Sequence, residues 1–440
     1  MKFYGRTVEL EELRKVREIS QKFARFTVLT GRRRVGKTQL VRRAFDDGKT
    51  PYVHLVITRK PEKIQCASLQ SEVERVLGLN IPYTTQRFVQ LFEILMKYSC
   101  TTAFTLVLDE FQEFDNVDAG VFGEVAAIWD KYHNESKMNL VVCGSVNRLM
   151  FKIFYDDSEP LYGRNTGSLH LTPFPVSVLK EIFADFCPNY RNEDLLALWT
   201  ITGGVARYVE LLMENGSFTE QAMLNTVFGG ITTFLDEGKA ILSEEFGKEY
   251  GTYFEILSLI ASGHTTYAEL KNELDMEIGG YLTKLEKYSL ISKRQPIFET
   301  SRTKNCVYQV DDSFFSFWFR FVYRHQALLE LHRLDAMREL CARDFATFSG
   351  KSLERYFRWK FIEEKKYTQI GAWWDRKGEN EIDLVCEDEL GGTLDFFEVK
   401  REKSRIDLNK LQEKLVAFFA KNPTLKSREG RIAGLSMNDM

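Results

Sequence analysis

The chain has 440 residues, a net charge of −3 and a pI near 6.2, a length that accommodates two to four domains of roughly 100–200 residues. Hydrophobic residues make up 44% and aromatics 13%, which supplies packed cores and excludes a disordered chain. The near-neutral charge excludes a global basic field, so any nucleic-acid binding has to come from a local patch. Seven scattered cysteines show no Cys-x-x-Cys or Cys/His spacing, which predicts free thiols in a reducing, cytoplasmic setting. The N-terminal stretch MKFYGRTVEL lacks the apolar core of a signal peptide. No run approaches the ~18 apolar residues of a membrane span, so no membrane partner is expected.

Residues 1–175 read as one α/β domain. RTVELEELRKVREI has helical spacing at Leu10, Leu13, Val16 and Ile19. Four short apolar runs follow at 25–30, 51–57, 104–110 and 139–145, separated by helical segments. Continuous apolar strands alternating with helices indicate a parallel sheet covered on both faces. Between the first strand and the next helix, TGRRRVGKT matches G-x-x-x-x-G-K-[ST]. Glycines at 31 and 36 permit a loop whose amides face phosphate at a helix N-terminus. Lys37 is then expected to reach the β- and γ-phosphates of ATP, and Thr38 to bind Mg²⁺. The run Gly31, Arg34, Val35, Gly36, Lys37, Thr38 and Gln39 is assigned to nucleotide contact, with the arginine side chains of the loop solvated.

FTLVLDE ends the third run with two carboxylates. Asp109 is expected to hold Mg²⁺ through water and Glu110 to polarise the attacking water as general base. At the next strand end, VVCGSVNR offers Ser145 or Asn147 as a γ-phosphate monitor, with a plain helix N-cap as the equal alternative. Arg164 in LYGRNTG is a candidate for the γ-phosphate or for a surface ion pair.

From 176 to 240 the pattern is helical, interrupted at Gly203-Gly204. Residues 241–325 contain two amphipathic helices divided at Gly279-Gly280 and then two short β-like stretches, a winged-helix pattern. Its basic cluster, Lys284, Lys287, Lys293 and Arg294, fits either DNA contact or interdomain packing. Residues 326–440 restart with a helix, then a hairpin across EDELGGT, then a helix over 408–420.

FYGRTVELEEL, GRRRVGKTQLV, LVLDEFQEF, VVCGS, LYGRNTGSLHLTPF, TGGVARYVELL and FWFRFV occur in this order along the chain. Together they resemble an archaeal-type ATPase family, found also in bacteria, of the signalling branch of AAA+-like P-loop NTPases. The resemblance implies a parallel-sheet ATPase core, a helical lid at 176–240, a winged helix and connector at 241–325, and a PD-(D/E)XK nuclease-like domain at 326–440. It favours Arg164 and Ser145 as nucleotide-site residues. One departure stands in the lid motif, where Ala206 replaces the family's proline and leaves Arg207 open as a lid sensor.

Alternation along LDFFEVK places Glu398 and Lys400 on one face, and a hairpin brings Asp383 to the same end. The spacing Asp-x14-Glu-x-Lys matches the nuclease pattern, and Glu354 on the preceding helix borders the stripe of Phe357 and Phe361. By resemblance, Glu354, Asp383, Glu398 and Lys400 form the nuclease-like site, with Asp383 and Glu398 as metal ligands. A structural Asp383–Lys400 ion pair is the competing expectation. The functional expectation is an ATPase whose nucleotide state controls a nuclease-like domain acting on nucleic acid. The alternative is a non-cleaving ATP-dependent switch that binds DNA or protein. Self-association is compatible with either.

Overall fold

The apolar runs of the first 170 residues form five parallel strands: β1 (Arg25–Thr30), β2 (Tyr52–Val56), β3 (Phe104–Asp109), β4 (Met138–Cys143) and β5 (Gly167–His170), in the order β2-β3-β4-β1-β5. In this computed structural model, which describes residues 1–230, 233–247, 250–299 and 305–440, they belong to a compact unit of Gly5–Thr172. Strands β3 and β4 are buried along their whole length. One face, with Val28, Leu106 and Val142, packs on helices that include Phe88–Ser99 and Val121–Tyr132. The other face, with Leu29, Val107 and Val141, packs on Leu13, Leu40 and Val41 of helices Thr7–Ser20 and Lys37–Phe45. Burial on both faces is why these strands read as continuous apolar runs rather than alternating ones.

The second unit comprises Met1–Tyr4 and Pro173–Met440. The segments read separately as lid, winged helix and C-terminal domain share one continuous core here, from Phe174 through Trp318 to Phe397. Helix Asn192–Thr202 ends at Gly203, and the next helix begins at Ala206. The expected break at Gly279-Gly280 is displaced. Asp275 ends helix Tyr267–Leu274 in the left-handed conformation, and both glycines start the helix Gly279–Lys287. A short Asp side chain tolerates that conformation, so the glycines were not needed for the turn.

The aromatic run is the buried helix Ser313–Phe321. The Trp318 Nε1–H donates to the carbonyl of Leu235 at 2.8 Å, and its ring lies against Gly238 of helix Phe234–Phe246, where an added Cβ would fall 2.3 Å from Trp318 Cδ2. Gly238→Ala is therefore expected to destabilise by about 1–3 kcal/mol, the usual cost of overpacking, read as a lowered Tm in thermal melts.

Strands β6 (Ile291–Arg294) and β7 (Val307–Val310) pair antiparallel after the two short helices. The C-terminal sheet contains β8 (Gln369–Trp374), β9 (Glu381–Asp388), β10 (Thr393–Val399) and β11 (Ile432–Leu435), ordered β11-β10-β9-β8, with only the β10–β11 pair parallel. Helix Leu334–Glu364 covers one face through Phe357 and Phe361, the latter 5.2 Å from the Phe397 ring. Helix Leu408–Lys421 covers the other through Leu411, Leu415 and Phe418, against Trp373 and Phe396. The free edge of β8 is met by the segment after β6, where the Ile297 N–H donates to the Ala372 carbonyl at 2.8 Å. That contact blunts an otherwise open edge. Among the described residues, no helix is long and apolar enough to cross a membrane.

Candidate functional site

The phosphate loop leaves the C-terminal end of β1. Gly31 has φ +147°, and a Cβ there would lie 2.4 Å from the Leu171 carbonyl oxygen, so only glycine fits. Gly36, also at positive φ, precedes the helix Lys37–Phe45. Lys37 is buried, and its Nζ donates to the carbonyls of Gly31 at 2.7 Å and Arg32 at 3.1 Å. Burial lowers its pKa, opposed by the charges of Glu110 and Asp109. Thr38 and Gln39 are exposed at the helix start, and Val35 is buried in the core beneath the loop. Arg34 adopts a positive φ of 68°.

Three parallel neighbours converge on this loop, because β4 lies between β1 and β3. The Thr38 hydroxyl donates to Asp109 Oδ2 at 2.9 Å. His54 on β2 places Nε2 3.3 Å from the same oxygen. Burial pushes the Asp109 carboxyl up, but the bonds from His54 and Thr38 and the nearby charges of His54 and Lys37 outweigh it and hold it low. Glu110 follows in the left-handed region, φ 54°, a rare conformation for a non-glycine residue and one that clusters at functional sites. Its Oε2 accepts from the Ser145 hydroxyl at 2.8 Å and from Gln112 Nε2 at 2.6 Å. Ser145 thus contacts the general-base candidate directly. The side chain of Asn147 lies outside those described.

Arg164 is directed elsewhere. Its Nε lies 3.0 Å and its second terminal nitrogen 2.8 Å from Asp130 Oδ2, in an ion pair at the surface outside the loop, and it also donates to the Pro160 carbonyl. This is the surface-pair alternative, not an approach to the loop. Arg207 likewise pairs with Glu210 on its own helix. His54 and Gln112 were not anticipated. The first was legible as the one polar interruption of PYVHLVI, the second as the residue two places after Glu110.

These features are a buried lysine, a threonine–aspartate pair and a strand-end glutamate around a glycine loop at the carboxyl ends of parallel strands, where ligands bind in open α/β sheets. Residues 3–212 match the family of the ATPase domain predominantly from Archaea. The ATPase domain is a nucleotide-binding P-loop domain of this kind. Residues 318–413 match a second family, described as archaeal and bacterial proteins of unknown function. An uncharacterized protein of Methanocaldococcus jannaschii is 27% identical over 402 residues, 89% of this chain and 86% of that protein. Among solved structures, a Walker-type ATPase of Pyrococcus abyssi is 20% identical, with a TM-score of 0.52 over 72% of this chain and 96% of its own. The ORC2 protein of Aeropyrum pernix is 14% identical, with a TM-score of 0.48 over 78% of this chain and 96% of its own.

The second cluster lies in the C-terminal sheet. The register shifts between Gly371 and Trp373, which face Val385 and Ile382, so β9 carries one extra residue at Asp383–Leu384. Such bulges re-aim a side chain. Here the β9–β10 pairing stops at Leu384 and Phe397, and Asp383 Oδ2 accepts the Val399 N–H at 2.7 Å. Lys400 Nζ lies 3.3 Å from Asp383 Oδ2 and 3.5 Å from Glu398 Oε1. Burial pulls the Lys400 pKa down, but the two carboxylates outweigh it and raise it. Glu398 Oε2 also accepts the Asp407 N–H at 2.9 Å, and its Oε1 lies 3.7 Å from Lys414 Nζ. Glu354 makes no side-chain hydrogen bond or ion pair among the described residues. Burial first, then Asp383 and Glu381, raise its carboxyl to about 8. The structure thus joins Asp383, Glu398 and Lys400 by ion pairs and leaves Glu354 beside them as an unpartnered acid. Among the described residues, no group of three His, Cys, Asp or Glu side chains is gathered as a metal site.

Proposed function

We propose that the protein binds ATP with Mg²⁺, hydrolyses it, and uses its nucleotide state to control a C-terminal nuclease-like domain acting on nucleic acid. The observation that carries the first half is the meeting of Lys37, the Thr38–Asp109 pair and the Ser145–Glu110 pair around one glycine loop. Thr38 Oγ1 and Asp109 Oδ2 are hard oxygen donors that fit Mg²⁺, and they are the residues that would hold it. Bound there, the ion would neutralise charge on the β- and γ-phosphates. Lys37 orients the phosphates, and Glu110 positions a water and accepts its proton, with Ser145 and Gln112 fixing the carboxylate. The seven free thiols fit a reducing compartment such as the cytoplasm.

In the second unit we read the helix pair and the β6–β7 ribbon as a winged helix, and residues 326–440 as the nuclease-like domain. Support comes from two carboxylates that reach one point beside Lys400, on a strand bulge. Asp383 and Glu398 offer the oxygen donors Mg²⁺ or Mn²⁺ takes, and would hold such an ion. In that setting the ion would activate water and offset phosphate charge. A second reading has its own support. The Lys400 ammonium already bridges both carboxylates, which suits a non-cleaving switch that binds DNA or protein.

Incubation of the full chain with DNA and Mn²⁺, with and without ATP, separates the two. Under the first reading, Asp383→Ala and Glu398→Ala each lower cleavage by about 100-fold or more, in keeping with the loss of a metal-ligand or transition-state group. Lys37→Ala cleaves but ceases to respond to ATP. Absence of metal-dependent cleavage by the wild type, or cleavage that survives both substitutions, overturns it.

A further inference from the structure

A cavity of about 650 Å³ lies wholly within the second unit, between β6–β7, the helices Ser313–Phe321 and Leu334–Glu364, and the β8–β9 end of the C-terminal sheet. Five cations line it: Arg294, Arg320, Lys351, Arg355 and Arg358. Lys351, Arg355 and Arg358 are spaced i, i+4, i+7 on one helix and so share a face. Four carboxylates also line the wall, Asp344 and Glu354 on the same helix, Glu381, and Asp383 on the β9 bulge, as does the indole of Trp374.

The cations are not neutralised by direct ion pairs. Arg294 donates to Gln309 Oε1 at 2.8 Å, and Arg355 to the Val310 carbonyl at 2.8 Å and Ser316 Oγ at 3.4 Å, all neutral acceptors. Among the described residues, none of the five forms an ion pair. Burial, with Arg358 beside it, lowers the Arg294 pKa, and burial brings Arg355 down to about 10. The carboxylates of Asp311, Glu354 and Glu381 offset this only in part, since both guanidinium pKa values stay lowered. Arg294, Arg355 and Arg358 therefore crowd one another at one side of the wall, an arrangement that an anion relieves.

The volume falls in the range of pockets that enclose one small ligand, about 300–1,000 Å³. A volume of this size is that of a small-ligand pocket and not of a cleft for a continuous duplex, and it suits the end of an unpaired strand. Guanidinium groups suit phosphate, and an indole in the wall suits an unstacked base. We propose that this cavity binds the phosphates of a single-stranded nucleic-acid end, which Arg294, Arg355 and Arg358 hold beside Glu354 and Asp383. The inference rests on the nucleic-acid part of the reading above and names its substrate class. It does not require cleavage.

The test is fluorescence anisotropy of the full chain in EDTA, with a labelled single strand of about 12 nucleotides, within the site size of single-strand binders. The matched duplex and AMP serve as competitors. The Arg294→Gln/Arg358→Gln variant is expected to bind the single strand at least about tenfold more weakly. Its log–log salt dependence should fall by about 1.4, at roughly 0.7 per lost phosphate contact. Because the ATP site lies in the other unit, folding of the variant is read from its thermal melt and circular dichroism, which should match the wild type. If it does not fold, the exposed Lys351→Gln carries the same test with about half the salt effect. Unchanged binding in the folded variant, duplex binding as tight as single-strand binding, or displacement by AMP at comparable concentration overturns the proposal. Single-strand binding that depends on these arginines without any Mn²⁺-dependent cleavage upholds it while rejecting the nuclease reading.

Discussion

Lys37→Ala is expected to weaken ATP binding by about 100-fold or more, while Glu110→Gln leaves binding within about threefold and removes hydrolysis. The two substitutions separate because the side chains face different parts of the reaction. The Lys37 ammonium is buried at the loop, where it donates to two loop carbonyls. It is the charge available for phosphate in a site whose burial already disfavours holding it. Charge-assisted hydrogen bonds contribute about 1.5–3 kcal/mol each, so losing two of them corresponds to about two or more decades in Kd. Glu110, by contrast, is held by Ser145 and Gln112 at the ends of adjacent strands. The substituted amide keeps the shape of the side chain and loses its basicity, which for general-base catalysis is typically 10²–10⁴-fold in rate. Equilibrium binding of a fluorescent ATP analogue and phosphate-release assays read the two effects, and chelation of Mg²⁺ should abolish release in every variant. Hydrolysis by Glu110→Gln at the wild-type rate would assign the base elsewhere.

The ATPase domain was legible because its chemistry is local. Glycine loop, lysine and threonine are consecutive, and four of the five strands are short, mostly apolar runs. The strand that escaped reading, β5, is a four-residue edge whose side chains alternate between half-buried and exposed, so it has no apolar run to detect. Strand β11 is a four-residue edge of small and half-buried residues, too short to stand out, and β8 was hidden by its adjoining tryptophans and bulge. In the C-terminal domain, alternation correctly brought Glu398 and Lys400 together. It did not foresee the extra residue at Asp383, because a bulge is a property of two strands and not of one. The cavity cations were illegible for a related reason. Arg294 and Lys293 are neighbours in a basic cluster, but on a strand they point to opposite faces, and only Arg294 reaches the cavity. Its companions are 26 to 64 residues away in the chain, on two other helices.

Glu354→Gln should raise thermal stability at alkaline pH, an unusual outcome for a substitution in a candidate site. The carboxylate makes no hydrogen bond or ion pair among the described residues, and it lies near the like charges of Asp383 and Glu381, which Lys351 and Arg294 offset only in part. Folding therefore removes it from water and sets it among other carboxylates, which raises its carboxyl from the ordinary value of 4.5 to about 8. Between those values the folded state binds the more protons, so stability falls as pH rises through this window and the full penalty is present above about pH 8. A glutamine has the same shape and no charge. In thermal melts with EDTA, the variant and wild type should agree near pH 4, and the variant should melt about 3 °C or more higher near pH 8.5, given roughly 2–4 °C per kcal/mol for domains of about 150–250 residues. A Tm lowered at both pH values would mean that the carboxylate is a stabilising partner in the core. That would leave Asp383, Glu398 and Lys400 as the whole of the cluster. A pH-dependent gain instead marks Glu354 as an acid retained at the expense of stability, as groups kept for chemistry often are, and places its proton beside the strand end that the cavity is built to receive.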